Sequence, residues 1–73
     1  MSRLKLVKRT ELLKKLSAVA NSNGLLLELV REGGNHTIYR VGGYQFTVAR
    51  HREVPEETAK GMLRRVAQEK GEE

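Results

Sequence analysis

Residues 36–49 read HTIYRVGGYQFTVA, and this stretch decides the fold. Two runs rich in threonine, valine, isoleucine and aromatic residues flank Gly42-Gly43, a typical two-residue turn between antiparallel strands. A turn of that length fixes the pairing, so Val41 lies opposite Tyr44, Thr37 opposite Val48 and His36 opposite Ala49. Cross-strand partners share a face. One face therefore carries Thr37, Tyr39, Val41, Tyr44, Phe46 and Val48, and the other carries His36, Ile38, Arg40, Gln45, Thr47 and Ala49.

The two faces of this predicted hairpin differ in polarity. The first is apolar and holds all three aromatic residues of the chain, so we expect it to be the covered core face rather than a platform for stacking bases. The second is polar and basic, so we expect it to be open. His36 then projects from the open face.

The segments around the hairpin predict two helices and one more strand. In the first helix, capped by Thr10 and ended by the turn residues of 21–24, apolar side chains recur at helical spacing: Leu12, Leu13, Leu16, Val19 and Ala20. The short apolar segment from Leu25 to Arg31 predicts a half-buried strand. The second helix starts at Val54-Pro55, and its predicted core residues are Ala59, Met62, Leu63, Val66 and Ala67.

The predicted order is α-β-β-β-α, an α+β fold in which a three-stranded antiparallel sheet carries two helices on one face. This is the architecture of the double-stranded RNA-binding domain. Residues 10–73 are expected to form this single domain. Residues 1–9 are expected to be a basic N-terminal extension, forming either an extra strand or a loose arm.

Composition narrows the possible functions of this small chain. With 73 residues it holds one small domain, and without cysteine it has neither disulfides nor thiolate metal ligands. The longest apolar run, Leu25 to Leu27, is far too short for a membrane span, so we expect a cytoplasmic protein without a membrane partner. Fourteen Lys and Arg against nine Glu give a net charge of +5, which favours a polyanion such as nucleic acid as the partner. The alternative is a charged surface that only keeps the protein soluble.

Elimination leaves one candidate for catalysis. The chain has no Asp, its two serines lie far from either histidine in sequence, and its two histidines lack the His-Glu-x-x-His spacing of a metal site. We therefore expect no metal and no other cofactor. His36 remains, on the open face of a basic sheet, where an imidazole can exchange a proton near neutral pH. In a basic groove, this chemistry points to a phosphodiester.

Three segments resemble the HicA family of bacterial and archaeal toxins. They are residues 31–40 (REGGNHTIYR), residues 48–54 (VARHREV) and the helix start at residues 58–63 (TAKGML), and the resemblance covers about residues 10–70. It implies the double-stranded RNA-binding fold and the activity of a messenger-RNA interferase, an endoribonuclease from a type II toxin-antitoxin system of the stress response. His36 matches the histidine of the family's Gly-Asn-His motif. It would move a proton without a metal, leaving a 2′,3′-cyclic phosphate and a 5′-hydroxyl.

The residues around His36 are the candidates for RNA contact. Guanidinium groups suit phosphate oxygens, so Arg31, Arg40 and Arg50 are expected to hold the phosphate, unless they are solvated surface residues. Gly33 and Gly34 give the backbone freedom beside the site, and Asn35 orients His36 or binds phosphate, unless this segment is only a turn. His51 contacts RNA, or it bonds to nearby backbone.

The resemblance also implies a protein partner. A ribonuclease of this family is blocked by a HicB-like antitoxin, whose acidic surface would cover the basic face. Two rival functions keep the same basic face. One is a non-catalytic RNA-binding module, and the other is a small interaction protein that binds only a protein partner.

Overall fold

The structure is a computed structural model that describes residues 5–50 and 52–71. In chain order it contains β1 (Leu6–Val7), α1 (Arg9–Ser22), β2 (Glu28–Glu32), β3 (His36–Val41), β4 (Tyr44–Ala49), β5 (Val54–Pro55) and α2 (Glu56–Gln68). Strands β2, β3 and β4 form a three-stranded antiparallel sheet in that order, and β1 pairs with β5 in a separate ribbon. The fold is α+β, with the predicted sheet and two helices.

The hairpin of β3 and β4 has the predicted register. Val41 pairs with Tyr44, Tyr39 with Phe46, Thr37 with Val48, and His36 with Ala49. Gly42 has a φ of 59°, the left-handed conformation that a two-residue hairpin turn requires at its first position. The predicted register is confirmed, because the glycine pair favours a turn of two residues and this length fixes which residues pair.

The core lies between the predicted covered face of the hairpin and the two helices. Its buried apolar side chains come from α1 (Leu12, Leu16, Ala20), the hairpin (Val41, Phe46, Val48), β5 (Val54) and α2 (Ala59, Val66). Tyr39 and Tyr44 pack partly buried against this cluster. The aromatic residues therefore belong to the core face, as predicted.

Strand β2 differs from its prediction in bounds and in burial. It runs from Glu28 to Glu32 instead of starting at Leu25, and all its residues are exposed, so the expectation of a half-buried strand is wrong. The strand lies at the end of the sheet, and a bulge shifts its register between Leu29 and Arg31. The helices cover β3 and β4, while Leu25 and Leu27 reach the core from the connection before β2.

Both ends of α1 are set by backbone contacts. The expectation that Thr10 caps it is wrong, because β1 delivers the chain to Lys8, whose carbonyl accepts the first helical bond from Leu12 N–H at 2.9 Å. Of the two alternatives for residues 1–9, a strand forms at Leu6–Val7, and residues 1–4 lie outside the described part. At the other end, Gly24 has a φ of 77° and Leu25 N–H donates to the Ala20 carbonyl at 2.8 Å, which is a Schellman motif.

Helix α2 begins at Glu56, with Pro55 as its N-cap residue, close to the predicted start. Ala67 is exposed, so its predicted place in the core is wrong. Ala67 follows the buried Val66 and lies about 100° around the helix from it, which turns it toward solvent. Within the described residues, neither helix has the length and apolar character needed to cross a membrane.

Candidate functional site

His36 is the first residue of β3 and lies on the open face of the sheet. Its side chain is exposed, and it belongs to no part of the core. Three adjoining depressions of the surface share it. The predicted exposure of His36 is confirmed, because its cross-strand partner Ala49 and its neighbours in the strand keep the alternation that the hairpin register requires.

The turn before His36 is held by three backbone hydrogen-bond acceptors. Gly33 N–H donates to the His36 carbonyl at 2.8 Å, and Arg50 N–H donates to the Asn35 carbonyl at 2.9 Å. The guanidinium of Arg50 donates to the Gly33 carbonyl at 2.7 Å and lies 3.3 Å from the carboxylate of Glu32. Arg50 thus fastens both ends of the turn, and its side chain is one-third exposed.

Gly33 permits a close approach within this turn. A Cβ atom at this position would lie 3.1 Å from the His36 carbonyl oxygen, tighter than most such contacts. A larger residue would therefore press against the backbone of the candidate catalytic residue. Gly34 has open space around it, so its candidacy rests on its place beside the histidine.

One depression brings together His36 and some of the predicted RNA-binding residues. It is lined by Arg31, Gly33, Gly34, Asn35, His36, Ile38 and Thr47. Arg31 reaches it from β2, where it pairs with Ile38 beside the bulge. A guanidinium, a carboxamide and an imidazole therefore line one open concavity, a set of groups that can bind a phosphate and transfer a proton beside it.

Arg40 lies apart from this group. It is four residues along β3 from His36, or about 13 Å at the rise of a strand. Its guanidinium donates to a carboxylate oxygen of Glu28 from Nε at 3.1 Å and from Nη2 at 2.7 Å. The structure therefore places Arg40 in an exposed ion pair on the same face. His51 lies outside the described residues.

Arg52 is a site residue that the sequence reasoning did not single out. It lines one depression with Asn35, His36 and Ala49, and another with Lys8, Arg9, Thr10, Arg50 and Glu53. Among the described residues it forms no ion pair. Its place at the site could not be predicted, because it lies in the connection between β4 and β5, where no periodic pattern indicates the direction of a side chain. The only sequence signal was its charge beside Arg50 and His51.

An apolar groove adjoins His36 on the other side. Its volume is about 640 Å³, and it is lined by Leu6, His36, Thr47, Val48, Ala49, Arg52, Glu53, Val54, Pro55, Thr58 and Met62. The ribbon of β1 and β5 supplies Leu6, Val54 and Pro55, and α2 supplies Thr58 and Met62. Sequence analysis missed this groove, because the pairing of β1 with β5 that builds one wall could not be read from two-residue strands.

Residues 5–50 and 52–71 contain no group of three or more histidine and acidic side chains placed to hold a metal ion. The chemistry that the described residues can supply is proton transfer by an imidazole, in depressions that are also lined by Arg31 and Arg52.

Comparisons of this chain with protein families, with curated proteins and with solved structures found no match.

Proposed function

We propose that this protein is a metal-independent endoribonuclease of the HicA type, a messenger-RNA interferase that acts as the toxin of a toxin-antitoxin system. The observation that carries the proposal is the exposed His36 on the open face of the sheet, which shares one depression with Arg31 and another with Arg52. The order of helices and strands is compatible with the double-stranded RNA-binding fold that the resemblance implies. The net charge of +5 favours a polyanionic substrate.

The reaction that suits this site is an internal transesterification. The ribose 2′-oxygen attacks phosphorus, the bond from phosphorus to the 5′-oxygen breaks, and the products are a 2′,3′-cyclic phosphate and a 5′-hydroxyl. His36 takes the proton from the 2′-hydroxyl or gives a proton to the leaving 5′-oxygen. DNA lacks the attacking hydroxyl and is spared.

The cationic residues have different parts in this proposal. Arg31 and Arg52 meet the charge that develops on the phosphate oxygens, since both line depressions shared with His36. Arg50 is a positioning residue, because its guanidinium is already bonded to the turn. Asn35 offers its carboxamide to the phosphate from the same turn. Arg40 contacts RNA further along the strand, where it must exchange its pairing with Glu28.

The proposal includes a HicB-like antitoxin that covers the basic open face and keeps RNA from His36. Its acidic surface would be attracted to the same cations that hold the substrate. Free toxin would then act on messenger RNA in the cytoplasm.

The test is cleavage of a labelled RNA in EDTA by wild type and by His36→Ala, with the product ends identified. We expect cyclic phosphate ends from wild type and a loss of about 10² to 10⁴ in rate for His36→Ala, as for other general acid-base catalysts. Gln45→Ala is the matched control, since Gln45 is exposed on the same face at the far end of the hairpin. It should cleave like wild type.

RNA affinity separates this proposal from its main rival. His36→Ala should bind RNA within a few fold of wild type, because the cations remain. Binding without cleavage by either protein would favour a non-catalytic RNA-binding module. Cleavage that survives in His36→Ala would remove His36 from the mechanism.

A further inference from the structure

The groove beside His36 differs in chemistry from the depression on the histidine's other side. The side toward the turn is the more polar of the two, because Arg31 and Asn35 line it together with two glycines, Thr47 and Ile38. The side toward β5 and α2 is walled by the apolar side chains of Leu6, Val54, Pro55 and Met62. A ligand that spans both sides must therefore have a charged part and an apolar part on either side of His36.

The apolar groove also holds a few polar groups. The side chains of Thr47 and Thr58 reach it from β4 and α2, and Glu53 and Arg52 reach it from the connection before β5. A hydroxyl can donate or accept a hydrogen bond, whereas a carboxylate only accepts. Apolar walls with a few donors and acceptors suit a flat heteroaromatic ring, whose faces are apolar and whose edge is polar.

From this arrangement we infer that the groove formed by Leu6, Val54, Pro55, Thr58 and Met62 binds the nucleobase of one of the two nucleotides joined by the phosphate that reacts at His36. The inference rests on the proposed function and extends it to substrate selection. The phosphate lies over His36 toward Arg31 and Asn35, and the base enters the groove. A base can do this only when it is free of its complementary strand, so the site selects single-stranded RNA.

The hydroxyl and carboxylate groups set the base preference. Thr47, Thr58 and Glu53 present acceptors to the edge of the base, and the hydroxyls, Arg52 and the imidazole of His36 can donate. An exchange of Thr58 for Val keeps the shape and removes one hydrogen-bonding group. It should therefore change the relative cleavage of substrates with different bases at this position more than it changes the fastest of these rates.

The first test blocks the groove. Thr58 is exposed on α2, so Thr58→Phe fills the groove without entering the core, and Gln68→Phe is the matched control at an exposed neutral position of the same helix outside the groove. We expect Thr58→Phe to lower kcat/KM on a short RNA by about 10-fold or more, within the range for loss of one base-stacking contact. Gln68→Phe should stay within about two-fold of wild type, like most surface changes.

Abasic substrates test whether the lower kcat/KM of Thr58→Phe comes from the loss of the base contact. In each, one nucleotide beside the cleaved phosphate is replaced by a ribose without a base, which keeps the 2′-hydroxyl. At one of the two positions, wild type should slow by about as much as Thr58→Phe does on intact RNA, and Thr58→Phe should slow no further, because the two changes remove the same contact. If wild type cleaves RNA while neither change matters, the inference is overturned and the proposed function stands.

A second readout does not depend on cleavage. Met62 is one of two methionines in the chain, so a protein labelled at the methionine methyl groups has two methyl signals, and Met62→Leu identifies the one from the groove. The His36→Ala protein should show a shift of the Met62 signal on addition of a short RNA and a much smaller one with the matching abasic RNA. An unmoved Met62 signal would overturn the inference and would favour a peptide of a protein partner as the occupant of the groove. If wild type does not cleave RNA, the proposed function fails, and the shift of the Met62 signal alone then shows whether the groove binds a nucleobase.

Discussion

Asn23 ties the end of α1 to the end of α2 through its side-chain amide. The amide nitrogen donates to the Ala67 carbonyl at 3.0 Å and to the Glu69 carbonyl at 2.9 Å. The last carbonyls of a helix have no partner within the helix, so an amide from another segment replaces the missing donors. In the reverse direction, Gly71 N–H donates to the Asn23 carbonyl at 2.9 Å. One side chain thus closes the end of the molecule opposite the start of α2.

Exchange of Asn23 for Ala should lower the free energy of unfolding by about 1 to 3 kcal/mol, which is the range for the loss of two hydrogen bonds, one of them partly buried. The measurement is urea denaturation. Asn21→Ala is the control, because Asn21 is an exposed residue of the same type in the last turn of α1, the helix that Asn23 follows, and should change stability by no more than about 0.5 kcal/mol. Equal stability of the two variants would show that the Asn23 contacts contribute nothing.

The turn that presents His36 is the element on which proposed catalysis depends. The side chain of Arg50 holds this turn through the Gly33 carbonyl and the Glu32 carboxylate. Its backbone N–H, just after the end of β4, donates to the carbonyl of Asn35, the residue before His36. Lysine keeps the charge but lacks the planar fork that meets two acceptors at once. Arg50→Lys should therefore loosen the turn without removing a cation from the open face.

For Arg50→Lys we expect kcat on RNA to fall by about 10-fold or more, since small displacements of a catalytic group cost rates of this size. KM should change little, and the affinity of the His36→Ala protein for RNA should be the same with either residue at position 50. Arg64→Lys, on the outer face of α2, is the control. A rise in KM with unchanged kcat would instead make Arg50 a direct RNA contact.

Among the elements, those with short, fixed connections could be predicted from the sequence. The glycine pair sets the length of the turn between β3 and β4, and the alternation of side chains then determines both faces, including the exposure of His36. Strand β2 could not be predicted as well, because the bulge at Val30 breaks the alternation and the end position leaves its apolar residues uncovered, with Leu29 57% exposed. Local apolar character alone indicates neither feature.

The residues that share a depression with His36 could be predicted from the sequence only in part. Asn35 and Arg31 could be placed near His36, because they are adjacent to it in sequence or on the next strand. Arg52 and the groove walls depend on the ribbon of β1 and β5, which joins residues 6–7 to residues 54–55. A contact between such short segments so far apart in sequence leaves no periodic pattern. The same ribbon leads directly into α1, so that Lys8 and not the predicted Thr10 is the N-cap residue.

At the scale of the whole molecule, positive charge is present on both sides of the fold. The open face and its rim carry Arg31, Arg40, Arg50 and Arg52, while the outer faces of the helices carry Lys14, Lys15, Lys60 and Arg64. Net charge alone therefore does not determine which face meets RNA. Salt dependence does, because only cations that contact phosphates displace counterions from the RNA.

Exchange of one arginine for glutamine on either side gives the same net charge, since +5 minus one is +4 in both variants. In the His36→Ala protein, where RNA stays intact, Arg52→Gln should make the slope of log K against log salt concentration shallower by about 0.7, the value for one phosphate contact on a single strand. Arg64→Gln should leave the slope unchanged. Fluorescence anisotropy over a range of salt concentrations measures both. Equal changes in the two slopes would mean that RNA is attracted by the total charge of the protein. This result would contradict the assignment of the open face as the RNA-binding face.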